Sequence, residues 1–240
     1  QEGGIATATS GTFGAGAVLT LGAGGLTIGS GSTAASSFNS NTTVLLSADQ
    51  SWTNNSNVLF TAAGGITGDA TTGNTRVLTL AGSGSGGITI TGAIGDGTAG
   101  GNVGINVNGA ASSTAIISGD KTFTGGVTLT QGTLRAATGI ATNTVLGTGN
   151  LTLAGGELQL IRSSASAGSN YGRATLITGN TQITSMESTS GTGVTHTLGT
   201  LSIGGQTLTV APGSGVLSGT AGLTFGSTSL TGNAVFNVTT

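Results

Sequence analysis

Residues 127–136 read VTLTQGTLRA, and residues 151–160 read LTLAGGELQL. Each stretch alternates apolar and polar side chains, turns at a glycine, and then alternates again. Because successive side chains of a β-strand point to opposite faces, each stretch predicts two short strands that share one aliphatic face. Copies of the pattern recur along the chain, and the complete set begins at Leu19, Val44, Leu78, Val103, Val127, Leu151, Leu176, Leu201 and Leu223.

The spacing of the copies is nearly constant from Leu78 onward, at about 24 residues, which is a period typical of solenoid coils. One copy cannot fold alone, because burying four aliphatic side chains contributes about 6–12 kcal/mol, whereas ordering the backbone costs about 24–48 kcal/mol. Stacked copies share strand hydrogen bonds and one core. The repeat therefore predicts an all-β fold, a right-handed parallel β-helix (β-solenoid) that forms a single domain over residues 1–240, with about ten coils of 22–25 residues.

The repeat is interrupted once, between Val44 and Leu78, where the step is longer than a regular coil by about ten residues. An additional apolar run at 58–60 lies inside this gap. Since a regular coil needs fewer residues, we expect residues 49–70 to form an insertion that protrudes from the shaft.

Two segments resemble a known repeat. Residues 118–136 read SGDKTFTGGVTLTQGTLRA, and residues 146–160 read LGTGNLTLAGGELQL. Together they resemble the passenger-associated transport repeat of autotransporters. The resemblance implies a right-handed parallel β-helix passenger, exported across the outer membrane of a Gram-negative bacterium and displayed on the cell surface. Such repeats accompany adhesins and proteases alike, so the resemblance indicates a scaffold rather than an activity.

The composition excludes several classes of partner. Only 5% of the 240 residues are charged, the net charge is −2, and there is no cysteine. Without a basic face we expect no nucleic-acid partner, and without a long apolar stretch we expect no membrane insertion. Disulfides and thiolate metal sites are excluded. Since the chain begins at Gln1 without a signal segment, we expect part of a longer exported protein, either secreted or held at the cell surface.

Carboxylates that converge are the first requirement of an enzyme that acts on glycans. Asp96 and Asp120 are one repeat period apart and could stack on adjacent coils, with Lys121 next to them. This is the best constellation that the sequence offers. Both residues follow a glycine in a turn, where an aspartate more commonly bonds to the backbone of the corner.

The remaining candidates are single residues or short strings. His196 is the only histidine and shares its strand face with Val194 and Leu198, which favours a packing role over a catalytic triad or a metal site. The glycine string at 82–87 lacks the lysine of a phosphate-binding loop and is interpreted as a turn. Residues 95–102 carry one Gly-Asp copy, which is too few for a calcium-binding array.

The aromatic residues Trp52, Phe60 and Tyr171 lie in the less regular segments. They either cap the core or contact a sugar or protein from a loop, and capping is the favoured interpretation. We therefore predict no catalytic, cofactor-binding or metal-binding residues, and no cofactor.

These observations favour a structural surface module, a stalk or adhesin-type passenger scaffold without catalysis, whose partner is a host surface. One alternative is a subunit that associates with itself through the ends of the solenoid and builds an extracellular filament or surface layer. A polysaccharide-acting enzyme is the third hypothesis, and it would have to use Asp96 and Asp120.

Overall fold

A computed structural model describes residues 16–139, 143–162, 168–188, 191 and 193–239. These residues form short β-strands joined by corners, and no helix is present among them. The strands are β1 (Ala17–Leu21), β2 (Leu26–Ile28), β3 (Ser36–Phe38), β4 (Thr42–Leu46), β5 (Gln50–Asn54), β6 (Phe60–Ala62), β7 (Gly65–Gly68), β8 (Thr75–Gly82), β9 (Ile88–Ile90), β10 (Ile94–Gly95), β11 (Asn102–Gly109), β12 (Thr114–Ser118), β13 (Val127–Gln131), β14 (Thr133–Thr138), β15 (Leu151–Leu153), β16 (Glu157–Arg162), β17 (Thr175–Ile177), β18 (Thr181–Glu187), β19 (Val194–Thr197), β20 (Leu201–Ile203), β21 (Thr207–Pro212), β22 (Ala221–Thr224), β23 (Thr228–Leu230) and β24 (Val235–Val238).

The strands stack into parallel ladders, as the repeat predicted. The first ladder has the order β2-β5-β8-β11-β13-β15-β17-β20-β23, and the second has the order β3-β6-β9-β12-β14-β16-β18-β21-β24. A third side holds the shorter ladders β1-β4-β7-β10 and β19-β22. Nine strands in each long ladder correspond to a β-solenoid of about eight turns. The prediction of a parallel β-solenoid is confirmed, and the expected number of about ten coils is close.

The first ladder sends one continuous column of apolar side chains into the interior. Its members are Leu26, Trp52, Leu80, Val107, Leu129, Leu153, Ile177, Ile203 and Leu230, each the register partner of the next. The step along the chain is shortest between Val107 and Leu129 and longest between Trp52 and Leu80, because corners differ in length while strands keep their register. The coils therefore vary in length more than the repeat predicted.

The second ladder supplies another column of inward side chains. Its members are Ser36, Phe60, Ile88, Ala115, Leu134, Leu158, Ile183, Val210 and Val238. Most members of both columns are fully buried and belong to a single core cluster. Strand alternation thus builds a slim aliphatic centre in which each layer is closed only by the layers above and below it.

The interruption in the sequence repeat reflects a change of side. Leu19 pairs with Val44, and Val44 pairs with Ile66, all on the third side. Leu78 lies instead on β8 of the first ladder, where it pairs with Ile105. The long step from Val44 to Leu78 therefore joins strands on two different sides of the solenoid and does not measure the length of one coil.

The segment 49–70 does not protrude, contrary to our expectation. It contributes β5, β6 and β7, one strand to each side of a single coil. Trp52 and Phe60 are buried, and their rings pack edge to face with Phe38 and with each other at centroid distances of 5.3–5.8 Å. The sequence pattern did not reveal this coil, because two of its inward positions are occupied by the polar residues Gln50 and Asn54. Both side chains are held by hydrogen bonds to backbone carbonyls of neighbouring coils. The two rings are layers of the core rather than caps on it, because Trp52 stacks between Leu26 and Leu80, and Phe60 stacks between Ser36 and Ile88.

The corner between β15 and β16 shows why glycine is required at some turns. Gly156 has φ +67°, and a Cβ at this position would lie 2.5 Å from Gly132 O of the preceding coil. A side chain would therefore meet both a backbone penalty and a collision with a neighbouring backbone. The equivalent corner between β20 and β21 is open, because nothing lies within 4 Å of a Cβ on Gly205.

The two corners provide a matched test of coil spacing. We expect Gly156→Ala to lower the free energy of unfolding by about 2 kcal/mol or more, because it adds left-handed strain to a backbone collision. Gly205→Ala should change it by no more than about 0.5 kcal/mol. Chemical denaturation followed by far-UV circular dichroism measures both values. Equal effects of the two substitutions would contradict the proposed corner contact.

Candidate functional site

The two aspartates that the sequence paired are separate corner residues. Asp96 Oδ1 accepts hydrogen bonds from the backbone N–H groups of Val103 at 2.8 Å and Thr124 at 3.1 Å. Asp120 Oδ1 accepts one from Thr144 N at 3.0 Å. On the next coil Asp96 is bonded to Thr124, which lies beyond Asp120 in the chain, so the two aspartates do not occupy equivalent positions on adjacent coils. Their carboxylates tie each corner to the next coil.

The same bond recurs around the solenoid. Asp49 Oδ1 accepts from Val77 N at 2.9 Å, and Asn180 Oδ1 accepts from Thr207 N at 2.9 Å. In both pairs the donor lies one coil further along the chain. Corners lack the regular ladder that satisfies backbone groups within strands, so an acidic or amide side chain supplies the acceptor. These polar residues are accounted for by coil stacking.

Lys121 lies inside the solenoid, at a position where no sequence pattern predicted a charge. Its side chain is only 1% exposed, and Nζ donates a hydrogen bond to Ser118 O. Burial lowers the pKa of Lys121 from 10.5 to about 8, although the charge of Asp120 acts in the opposite direction. The protonated amine is therefore held at a cost to folding.

His196 is fully buried on β19 and uses both ring nitrogens. Ser169 N–H donates to Nδ1 at 3.1 Å, so the proton resides on Nε2, which donates to Met186 O at 3.0 Å. The ring packs edge to face against Tyr171, with centroids 5.6 Å apart. Burial holds the pKa of His196 below its ordinary value. With neither nitrogen free, this imidazole is a packing residue rather than a general base.

The phenol of Tyr171, which packs against His196, is also hydrogen-bonded to the backbone. Its hydroxyl lies 3.1 Å from Ile161 O and 3.2 Å from Ala136 O, carbonyls of the second ladder. Burial raises the pKa of Tyr171 far above its ordinary value. The sequence placed this residue in an irregular segment, and the structure shows that its side chain belongs to the buried core.

Arg162 and Glu187 are neighbouring buried or partly buried charged residues that sequence reasoning missed. They are register partners at the ends of β16 and β18, and Glu187 is only 1% exposed. Among the described residues, neither carboxylate oxygen of Glu187 has a hydrogen-bond partner, and Arg162 Nε has none. The one available signal was their position, since each is the last residue of a strand.

The other candidate motifs are structural where they are described. In the string at 82–87, a Cβ on Gly84 or Gly86 would collide with the backbone of the preceding coil, so these glycines permit close stacking. Within 95–102, the side chain of Asp96 is bonded to backbone N–H groups. No group of three or more His, Cys, Asp or Glu residues within metal-binding reach is found in the described part of the chain.

Two shallow surface grooves of about 260 Å³ are lined, among the described residues, by uncharged side chains. One crosses the ends of β12, β14 and β16, and the other lies on the outer face of β11 and β13. None of these lining residues is the carboxylic acid or carboxylate that hydrolysis of a polysaccharide would require.

The chain matches no protein-family model, no curated protein and no solved structure. Within the described ranges, there is no helix with the length and apolarity needed to cross a membrane. The function must therefore be inferred from the residues themselves.

Stability should fall when the solution is acidified below the ordinary pKa of histidine, about 6.5. Above that pH His196 is neutral in both the folded and the unfolded chain, so its titration does not reduce the free energy of unfolding. Below it the unfolded chain takes up a proton first, because burial lowers the pKa in the folded state. Denaturant midpoints measured between neutral pH and the onset of carboxylate titration would show this loss. His196→Gln, which keeps an amide donor and acceptor, should abolish it, and an unchanged pH profile would contradict the assignment.

The burial of Lys121 should make the stability of the folded chain increase with pH in the alkaline range. Its folded-state pKa of about 8 lies below the unfolded value of 10.5, so the free energy of unfolding should rise as pH increases between these values. Lys121→Met should remove this rise and stabilise the chain at neutral pH by about 1–3 kcal/mol. Arg135→Met, which removes a charge from the outer face of β14, is the control and should leave the rise intact. A wild-type stability that declines over this interval would refute the argument.

Proposed function

We propose that this chain is a structural module of a bacterial cell surface, an adhesin-type passenger scaffold without catalytic activity. The observation that supports the proposal is that polar side chains of the chain are bonded to its own backbone. Asp49, Asp96 and Asp120 bond to the backbone of neighbouring coils, and both nitrogens of His196 are occupied. The groups that could perform chemistry instead hold the coils together.

The exterior is suited to contact rather than to reaction. One outward row of the first ladder consists of Ser51, Thr79, Asn106, Thr128, Thr152, Leu176, Ser202 and Ser229, in register on eight successive strands. At roughly 4.8 Å between neighbouring strands the row is about 34 Å long. Apart from Leu176, the row consists of short, uncharged side chains that present hydrogen-bonding groups at a regular spacing, to which a polar host surface can bind over many weak contacts.

The resemblance of residues 118–160 to the passenger-associated transport repeat supplies the proposed location. By that resemblance the module is exported by a Gram-negative bacterium and displayed outside the outer membrane. The low charge and the absence of cysteine are compatible with such an exposed position.

Attachment assays test this role. Beads coated with the chain should adhere to host cells or matrix-coated surfaces from a test panel. Thr128→Lys together with Thr152→Lys should reduce adhesion severalfold, because two charges interrupt the outward row. Ser37→Lys together with Thr61→Lys places the same two charges on the second ladder and is the matched control. An equal loss in both double variants would show that the outward row has no special part in attachment.

Catalytic activity of the chain would contradict the scaffold proposal. If the chain degraded a polysaccharide and Asp96→Asn or Asp120→Asn abolished turnover, the scaffold proposal would be overturned. We expect no turnover by the wild-type chain on a glycan panel.

A further inference from the structure

Arg135 differs from the other cations of the chain in the bonds that its side chain makes. The chain has five Lys and Arg residues. Four of them donate to the protein itself through Nζ or a terminal guanidinium nitrogen: Arg76 to Asp69, Lys121 to Ser118 O, Arg162 to Gly168 O and Arg173 to Gly147 O. Arg135 donates through Nε, to Gln159 Oε1 at 2.8 Å. Within the described part of the chain, neither of its terminal nitrogens has an acceptor, so both remain available to a partner.

The side chain of Arg135 lies on the outer face of the second ladder. Leu134 and Ala136, its neighbours on β14, are fully buried, so strand alternation directs Arg135 outward. Its register partners are Ile116 on β12 and Gln159 on β16. The bond from Nε to Gln159 orients the guanidinium plane and leaves Nη1 and Nη2 as a fork that matches a carboxylate. The amide nitrogen of Gln159 also has no acceptor among the described residues, so the two side chains together form a cluster of donors.

Glu157, an acidic residue of the same face, does not neutralise Arg135. It lies on β16 two residues before Gln159, and its Oε1 accepts hydrogen bonds from Gln182 Nε2 at 3.3 Å and from the hydroxyl of Thr184. Both donors are on β18, which lies on the opposite side of β16 from β14. Among the described residues, Glu157 and Arg135 form no ion pair. The positive charge of Arg135 is therefore left without an anionic partner in the protein.

A groove begins beside this cluster of donors. It crosses the ends of β12, β14 and β16 with a volume of about 260 Å³, and its described lining includes Ser118, Ala137 and Ile161. Ala137 and Ile161 are register partners that lie two residues after Arg135 and Gln159, on the same outward face. Sites for drug-sized ligands are typically about 300–1,000 Å³, so this groove has room for a single ring rather than a long chain.

The charge of the chain indicates which kind of anion fits this face. The net charge is −2, and Arg135 is the one arginine of the described chain whose two terminal nitrogens both lack an acceptor. Nucleic acids and densely sulfated polymers carry closely spaced charges and need several cations for binding. A single guanidinium fork instead suits one planar carboxylate. The neighbouring amide and hydroxyl groups suit a ligand that carries hydroxyls around that carboxylate.

We infer that Arg135 and Gln159 form a binding site for the carboxylate of an acidic sugar, a uronic acid or sialic acid residue of a glycan. Nη1 and Nη2 of Arg135 donate to the two carboxylate oxygens, and the amide of Gln159 donates to a hydroxyl of the same sugar. The ring lies in the groove against Ala137 and Ile161. This site is on a different face from the outward row of the first ladder, and it does not depend on the adhesive role proposed for that row.

An NMR titration of the isotope-labelled chain tests the inference with four sugars and one small acid. We expect methyl glucuronide or sialyllactose to shift the Nε–Hε resonance of Arg135 saturably, and the acid that does so identifies the class of sugar. Methyl glucoside and lactose, the neutral counterparts, should leave this resonance in place. Acetate offers the carboxylate without the ring and should bind about tenfold more weakly or less, because it makes no contact with the groove.

Substitutions on the same face assign the binding to the guanidinium, with the backbone amide of Ala137 as the reporter. Arg135→Gln should raise the Kd at least about tenfold, because the hydrogen bonds to the carboxylate lose their charge. Arg135→Lys should raise it severalfold, since an ammonium keeps the charge but not the fork. Glu157→Gln should lower it by removing a nearby negative charge. Arg76→Gln, which removes one positive charge elsewhere, is the matched control and should leave the Kd unchanged.

A near-isosteric variant keeps the test decisive if Arg135→Gln loses its β circular-dichroism spectrum. Gln159→Glu places a carboxylate next to the guanidinium and should block the sugar acid from binding while Arg135 stays in place. Thr128→Lys together with Thr152→Lys should leave this Kd unchanged, which separates the site from the outward row. The inference is overturned if neither acid gives a saturable shift, if the neutral sugars or acetate bind as tightly as the acids, or if Arg76→Gln weakens binding as much as Arg135→Gln.

Discussion

The structure depends on one spacing, the distance of about 4.8 Å that backbone hydrogen bonds impose between neighbouring strands. Each coil must approach the next this closely around its whole circumference, corners included. Inward side chains must therefore be stackable on copies of themselves, which favours Leu, Ile and Val in register. At tight corners only glycine fits, as the contact between Gly156 and Gly132 O illustrates. Where the ladder is interrupted, side chains such as those of Asp96 and Asp120 provide the missing acceptors.

The same spacing explains how a few polar residues can be tolerated inside. His196 and Tyr171 reach backbone carbonyls or N–H groups of their own and of adjacent coils, so their polar atoms are satisfied although their rings are buried. Lys121 and Glu187 are less well compensated, since one has a depressed pKa and the other has carboxylate oxygens without partners among the described residues. Both lie where a strand of the second ladder, β12 or β18, gives way to a corner.

A stack of coils also gives the protein regular side surfaces. The sides present outward rows of small polar residues whose spacing is set by the strands. In the proposed scaffold these sides make contact with a host surface, a role that follows from geometry rather than from reactive groups.

The parallel β-solenoid could be predicted from the order of residues, because alternation and a regular repeat are local properties of the chain. The Gly-Asp turns likewise indicated the corner role of Asp96 and Asp120. The sequence did not show which side of the solenoid each copy of the repeat occupies, so residues 49–70 were wrongly predicted to protrude. Gln50 and Asn54 point inward there, and their hydrogen bonds to distant backbone exist only once coils are stacked. The burial of Lys121 could likewise be known only from the folded stack, since no sequence pattern predicted a charge inside the solenoid.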